Sequence, residues 1–165
     1  MDFDDNLVRA AAEVLAIAER KGLTIITAES CTSGLLASVL SQAPGAGELL
    51  DGGFVTYTKR HKTRALGVPA ELLRRRGAVC DEVAVAMAEG ALARSAADLA
   101  AAITGVAGPE PDEDGNPVGL VCIAVARRGF PTERLEKRYP AIGRSGVQQR
   151  AIEDALAALA QIARR

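Results

Sequence analysis

Leu23-Thr24-Ile25-Ile26-Thr27-Ala28-Glu29-Ser30-Cys31-Thr32-Ser33-Gly34-Leu35-Leu36 decides the fold. The apolar, β-type run Leu23 to Ile26 passes through a polar corner into an amphipathic segment that begins at Leu35, so a strand feeds a helix. Such a corner has two uses. Its Ser and Thr hydroxyls are ordinary helix N-caps. The backbone N–H groups that a helix leaves unpaired also make it a place where nucleophiles and anion sites are built.

Upstream of the corner, Leu7, Val8, Ala11, Val14, Leu15 and Ala18 fall at helical spacing within Asn6 to Arg20, and Lys21-Gly22 closes that helix as a C-terminal cap. The strand is expected over Leu23 to Thr27, and the following helix runs from Leu35 through Leu40 to a stop near Pro44-Gly45. Gly53 to Tyr57 predicts a second strand. Thr58 to Gly67 is polar and helical, and Pro69 restarts a short helix toward Arg76-Gly77. Asp81 is expected to cap a longer helix carrying Val83, Val85, Met87, Ala88 and Leu92. Leu99 to Thr104 suits a central strand. Val118 to Ala126 and Thr132 to Tyr139 flank Arg127-Arg128-Gly129-Phe130-Pro131 as a hairpin, and a last helix runs from Arg144 to Ala163. Strands alternating with helices, then one hairpin, imply an α/β fold: a three-layer α/β/α sandwich around a mixed, mostly parallel sheet.

The 165 residues fit a single domain with one sizeable core. Twenty basic and 21 acidic residues leave a net charge of −1, which supplies no broad field for nucleic acid or an anionic membrane. Two Tyr, three Phe and no Trp offer few platforms for stacking single-stranded bases. Cys31, Cys80 and Cys122 lack the paired spacing of a zinc site or a disulfide framework and read as cytosolic thiols. The acidic opening Met1-Asp2-Phe3-Asp4-Asp5 is unlike the basic start of a signal peptide, and no apolar run reaches the ~18 residues a membrane span needs. A cytoplasmic protein that binds neither nucleic acid nor membrane is the expectation. Its alanine-rich helices favour self-association, so a homo-oligomer is expected.

The single histidine, His61, excludes a multi-histidine metal site, and a Ser-His-Asp triad is open only through His61 itself. Chemistry therefore falls to four places: Glu29 to Gly34, Tyr57 to Lys62, Thr104 to Pro109, and Gly143-Arg144. Loops at the carboxyl ends of parallel strands meet at one sheet edge, so the first three are expected in one crevice. Ser30 needs a base, and a lysine held neutral by burial can serve. Lys62 is the preferred base and Tyr57 a possible relay, against the ordinary alternatives of a solvated lysine and a rim tyrosine. Cys31 ranks second as nucleophile, because a small free cysteine more often points into the core. Glu29 reads as a buried partner that holds the loop. Gly105 and Gly108 allow a sharp turn or close approach to a ligand. Arg144, opening the last helix, suits a phosphate. Glu110 to Asn116 is an exposed acidic loop that lacks the downstream glutamate of a calcium-binding EF-hand.

Taken in order, Ala28-Glu29-Ser30-Cys31-Thr32, Gly53-Phe54-Val55-Thr56-Tyr57 with Lys62 and Leu66-Gly67-Val68, Ala102 to Pro109, and Pro117-Val118-Gly119-Leu120-Val121 resemble the C-terminal domain of the competence/damage-inducible protein CinA. The resemblance covers roughly Leu7 to Leu159. It implies a three-layer sandwich that hydrolyses the carboxamide of nicotinamide mononucleotide to nicotinate mononucleotide and ammonia, without metal or cofactor. It also implies Ser30 as nucleophile and Lys62 as base, with Tyr57, Thr104 and Arg144 in the site. Glu29, Cys31, Thr32, Ser33, Gly34, Gly105 and Gly108 are the further residues expected around the nucleotide. The pyrophosphatase-type domain of full CinA proteins has no counterpart here, so the amidohydrolase part alone is expected. Ser33 stands where the family usually has a glycine, Glu110 to Asn116 replaces a glycine-rich turn, Ile142-Gly143-Arg144 replaces Gly-Asp-Arg, and Gln148 replaces a frequent arginine. Alternatives are a non-catalytic nucleotide-sensing or protein-interaction module and an amidase for another small amide.

Overall fold

A computed structural model describes residues 3–165, so Met1 and Asp2 of the acidic opening lie outside the described residues. The elements are α1 (Asp5–Lys21), β1 (Ile25–Glu29), α2 (Leu35–Leu40), α3 (Ala46–Leu49), β2 (Leu50–Val55), α4 (Lys59–Leu66), α5 (Ala70–Arg76), α6 (Asp81–Ala93), β3 (Leu99–Gly105), β4 (Leu120–Arg127), β5 (Glu133–Arg138) and α7 (Gly143–Arg164). The five strands form one sheet in the order β2-β1-β3-β4-β5. β1 pairs in parallel with β2 and β3, while β4 is antiparallel to both β3 and β5. Only β4 runs against the rest, which is the mixed, mostly parallel sheet the pattern implied.

The two sheet faces differ in side-chain size, and this sets the layers. One face presents Ile25, Leu99, Ile103, Val121, Ile123 and Val125 to α1, α2 and α7. The other presents Ala28, Ala100, Ala102, Cys122, Ala124 and Ala126 to α6, with α4 and α5 outside it. Residues two apart in a strand share a face, so the alanine-rich run Leu99 to Thr104 puts Leu99, Ala101 and Ile103 on one side and Ala100 and Ala102 on the other. Small residues let α6 approach the sheet closely, while the large set fills the space beneath α1 and α7. At the β5 edge, charged Glu133, Arg134, Glu136, Lys137 and Arg138 blunt the unpaired strand.

Several boundaries differ from the sequence pattern. β1 runs two residues later than Leu23 to Thr27, so Glu29 ends the strand. β2 spans Leu50–Val55, which leaves Tyr57 in the loop beyond it. α2 stops at Leu40, and the separate turn of α3 follows. Asp81 is the first residue of α6, not its cap; Cys80 occupies the cap position without a side-chain hydrogen bond. These shifts move the site residues to strand ends. β1, β2 and β3 all finish at the same sheet edge, where open α/β sheets bind ligands.

Candidate active site

The strand-to-helix corner is capped from an unexpected direction. Glu29, fully buried at the end of β1, accepts the Thr32 hydroxyl at 2.7 Å and the N–H groups of Gly34 at 3.0 Å, Leu36 at 3.0 Å and Ala37 at 2.9 Å. A strand carboxylate thereby satisfies the first turn of α2, the task assigned to Ser or Thr by the capping pattern. Ser33 adopts φ 52°, in the left-handed region that a glycine enters without steric cost. Its N–H closes a turn on the Ser30 carbonyl. Glu29, Thr32, Ser33 and Gly34 hold this loop together, while Ser30 and Cys31 are the residues of the corner that line the cleft.

Ser30 follows β1, its N–H bonded to the Ile103 carbonyl of β3. Lys62 reaches it from α4. In the cationic run Lys59-Arg60-His61-Lys62, Arg60 and His61 are exposed, whereas Lys62 is fully buried. The reason is helical period: Lys62 and Leu66 lie four apart on the face of α4 turned inward. Lys62 Nζ donates to Ser30 Oγ at 2.8 Å and to the Thr56 carbonyl at 2.6 Å. Burial pulls its pKa down from 10.5 to about 8. A serine hydroxyl beside a buried amine that loses its proton near neutrality is the geometry of an activated nucleophile.

A cleft of about 470 Å³ opens above this pair. Ser30 and Cys31, Tyr57 to Lys59, Ala78-Val79 and Thr104 to Gly108 line it, with Arg144 from α7 and the acidic loop beyond Gly108. All four sequence-selected places therefore meet in one cavity. Arg144 donates to the Gly108 carbonyl at 2.7 Å, and its second amino group lies 3.4 Å from the Tyr57 hydroxyl. Thr104, at the end of β3, donates to the Ala78 carbonyl at 2.8 Å. Gly105 serves its own sheet: a Cβ there would stand 2.8 Å from the Leu120 carbonyl.

Cys31 is buried, the commoner fate of a small free cysteine, and desolvation pushes its thiol up to about 12, so no thiolate is present near neutral pH. Tyr57 is 59% exposed, and among the described residues its hydroxyl bonds neither Ser30 nor Lys62. It stands at the cleft mouth as a rim group, and the relay is not formed.

For a developing oxyanion, Ser33 and Gly34 are already committed, to the Ser30 carbonyl and to Glu29. The Cys31 N–H, which makes no hydrogen bond to the backbone of another described residue, belongs to a residue that lines the cleft beside the nucleophile. Gln148, marked in the sequence only as standing where an arginine is frequent, supports the loop: its Nε2, on α7, donates to the Cys31 carbonyl at 2.8 Å. One signal was present, since Gln148 lies four residues beyond Arg144 on the same helix face. Among the described residues the grouping with metal-ligand chemistry is Asp81, Cys122 and Glu136. It lies off the cleft, and Arg134 approaches Asp81 at 3.7 Å.

Residues 8–163 match the CinA C-terminal domain family. A putative competence-damage inducible protein of Symbiobacterium thermophilum is 44% identical over 161 residues, covering 93% of this chain and 37% of that protein. A CinA-like protein of Parasynechococcus marenigrum is 43% identical over 153 residues, 93% of this chain and 36% of that protein. The chain thus spans little more than a third of the curated relatives it matches. The crystal structure of the competence/damage inducible protein CihA from Agrobacterium tumefaciens superposes with a TM-score of 0.94 at 39% identity, over 98% of each chain. A CinA superfamily protein from Escherichia coli gives 0.90 at 35%, over 98% of this chain and 94% of the other. Family match, identity and superposition agree with the order of motifs along the sequence: the chain belongs to the CinA C-terminal domain family.

Proposed function

We propose that this chain is an amidohydrolase that converts nicotinamide mononucleotide to nicotinate mononucleotide and ammonia, in pyridine nucleotide recycling. The observation that carries the amidohydrolase reading is the 2.8 Å contact between Lys62 Nζ and Ser30 Oγ at the floor of a cleft of mononucleotide size. The nucleotide itself rests on the sequence resemblance, with Arg144 at the cleft as the cation for its phosphate.

Neutral Lys62 accepts the Ser30 proton as Oγ bonds to the amide carbon. The Cys31 N–H faces the oxyanion that forms, a donor worth about 3–4 kcal/mol in comparable sites. Collapse of the tetrahedral adduct breaks the C–N bond, and the proton held on Lys62 leaves with the amine as ammonia. Water then attacks the acyl-enzyme, Lys62 takes its proton, and the carboxylate departs as Ser30 is reprotonated. The Thr56 carbonyl holds the amine through a second hydrogen bond throughout. A homo-oligomeric state is part of the proposal and is read from the solution mass by light scattering.

Ammonia release from nicotinamide mononucleotide, its riboside and free nicotinamide tests the activity. The mononucleotide should be favoured, and Ser30→Ala should reduce release to background with an unchanged circular dichroism spectrum. Binding without ammonia from any of the three would identify a sensing module instead.

A further inference from the structure

The two edges of the sheet are finished differently. β5 closes one edge with Glu133, Arg134, Glu136, Lys137 and Arg138, charges that discourage a further strand. β2, at the opposite edge, offers Gly52-Gly53-Phe54-Val55 instead. Thr56 donates its N–H to the Glu29 carbonyl at the end of β1, so by alternation the N–H and C=O groups of Gly53 and Val55 point away from the sheet. Among the described residues no strand receives them. Val55 is 47% exposed, and Tyr57 lies bare just beyond it. Gly53, with no side chain, lets a second backbone approach the edge.

Charge divides the same edge along its length. Its start is acidic: Glu48 closes in from α3, and Asp51, which a register step leaves without a partner in β1, is exposed. Its end is basic, where Arg60, His61 and Arg64 of α4 share a hollow of about 270 Å³ with Val55, Tyr57 and Thr58. Lys59 is held by Glu113 and Asp114. Among the described residues, the side chains of Glu48, Asp51, Arg60 and Arg64 are exposed and have no hydrogen-bond or ion-pair partner. An edge that is acidic at one end and basic at the other complements itself only when turned end for end, which is what a two-fold axis does.

We infer that two copies of this chain join edge to edge through β2, antiparallel about a two-fold axis, with Glu48 and Asp51 of each copy facing Arg60 and Arg64 of the other. The axis falls near Gly53, where the facing backbones meet without side chains. The two sheets then run on as one, and Val55 is covered. Head-to-tail contact of β2 with β5 is the other way to extend the sheet, and the charges of β5 oppose it. A net charge of −1 sets up no general repulsion between copies. The inference rests on the homo-oligomeric state proposed above and on none of the cleft chemistry. Tyr57 and Thr58 line both the edge hollow and the cleft, so the second copy borders the cleft mouth.

Light scattering over a dilution series of the full chain tests this. The unsubstituted protein should show twice the chain mass, and Val55→Lys, a charge set on the paired edge, should weaken self-association by about tenfold or more. Two charge-reversed proteins decide the pairing, one carrying Glu48→Lys with Asp51→Lys and the other Arg60→Glu with Arg64→Glu. Each alone sets like charges against like and should be monomeric, with the circular dichroism spectrum of the parent. An equimolar mixture of the two should regain the dimer mass, because every reversed charge then meets its opposite. A monomeric parent removes the oligomer and its interface together. A dimer that withstands all of these substitutions, or a mixture of folded variants that stays monomeric, overturns the β2 contact and keeps the oligomer. Where a reversed protein does not fold, Val55→Lys decides: loss of the dimer supports the β2 contact, and an undiminished dimer overturns it.

Discussion

Lys62 Nζ and Ser30 Oγ lie 2.8 Å apart although 32 residues separate them, and the lysine is fully buried. Beneath the pair the Thr56 carbonyl takes a second hydrogen bond from the same nitrogen, so the amine is aimed rather than merely enclosed. Buried lysine is rare because an ammonium loses its hydration there, and the cost falls when the group gives up its proton.

The pH dependence follows from that burial. With a pKa of about 8, Lys62 is protonated and inactive as a base in acid, and kcat/KM should rise with pH and level off above about 8. Lys62→Met and Lys62→Arg should both lack activity, because neither offers a neutral amine near pH 8. A flat profile from pH 6 to 9 in the unsubstituted protein would remove Lys62 as the base.

Stability should respond to the same group in a definite direction. The folded pKa lies below the unfolded one, so between about 8 and 10.5 the unfolded chain binds more protons, and stability contributed by this residue rises with pH across that window. The penalty on the charged form is on the order of 3 kcal/mol below pH 8. Urea titrations at pH 7 should therefore find Lys62→Met at least as stable as the parent, although it is inactive.

Cys31 separates a thiol from an alcohol mechanism. Its thiol is buried and held un-ionised to about 12, so iodoacetamide at pH 7.5 should leave ammonia release unchanged. Cys31→Ala should keep kcat within about fivefold, since its N–H is retained. Loss of activity matched by Cys31 alkylation in the mass spectrum would transfer the nucleophile to sulfur.

Glu29 is expected to act on the fold. Glu29→Gln leaves one amide oxygen to accept donors now shared by two carboxylate oxygens and turns an NH2 toward backbone N–H groups. A loss of about 2–3 kcal/mol in urea unfolding is expected, the range for charge-assisted bonds and stranded donors.

Gln148 should show the opposite pattern. Gln148→Glu keeps the shape but turns an acceptor toward the Cys31 carbonyl, loosening the loop that carries Ser30. A fall in kcat on the order of 10- to 100-fold with KM within twofold is expected from misplacement of the nucleophile. An unchanged kcat with a raised KM would make Gln148 a ligand contact instead.

Much of this was legible along the chain because its causes are local. Helical spacing marked α1 and α6, and the alanine-rich run Leu99 to Thr104, leading into Gly105, marked a central strand. Ser30 stood out because a strand-to-helix corner needs no distant partner to be recognised. The short α3 was missed, since a single turn has too few residues to show a period. Glu29 as the cap of α2 was half visible: its burial was anticipated, but its four donors come from a turn whose path depends on the left-handed Ser33.

The sequence by itself determined the alternation of strands and helices, the apolar faces and the corner bearing Ser30, because each follows from the stereochemistry of neighbouring residues. Only the tertiary structure decided that Lys62, among four adjacent cations and cation-forming side chains, loses its water, and that Cys31 turns inward. Desolvation and hydrogen-bond distance depend on which elements pack together. No short stretch of chain carries that information, since Ser30, Lys62 and Gln148 become neighbours only when β1, α4 and α7 meet at the edge of one sheet.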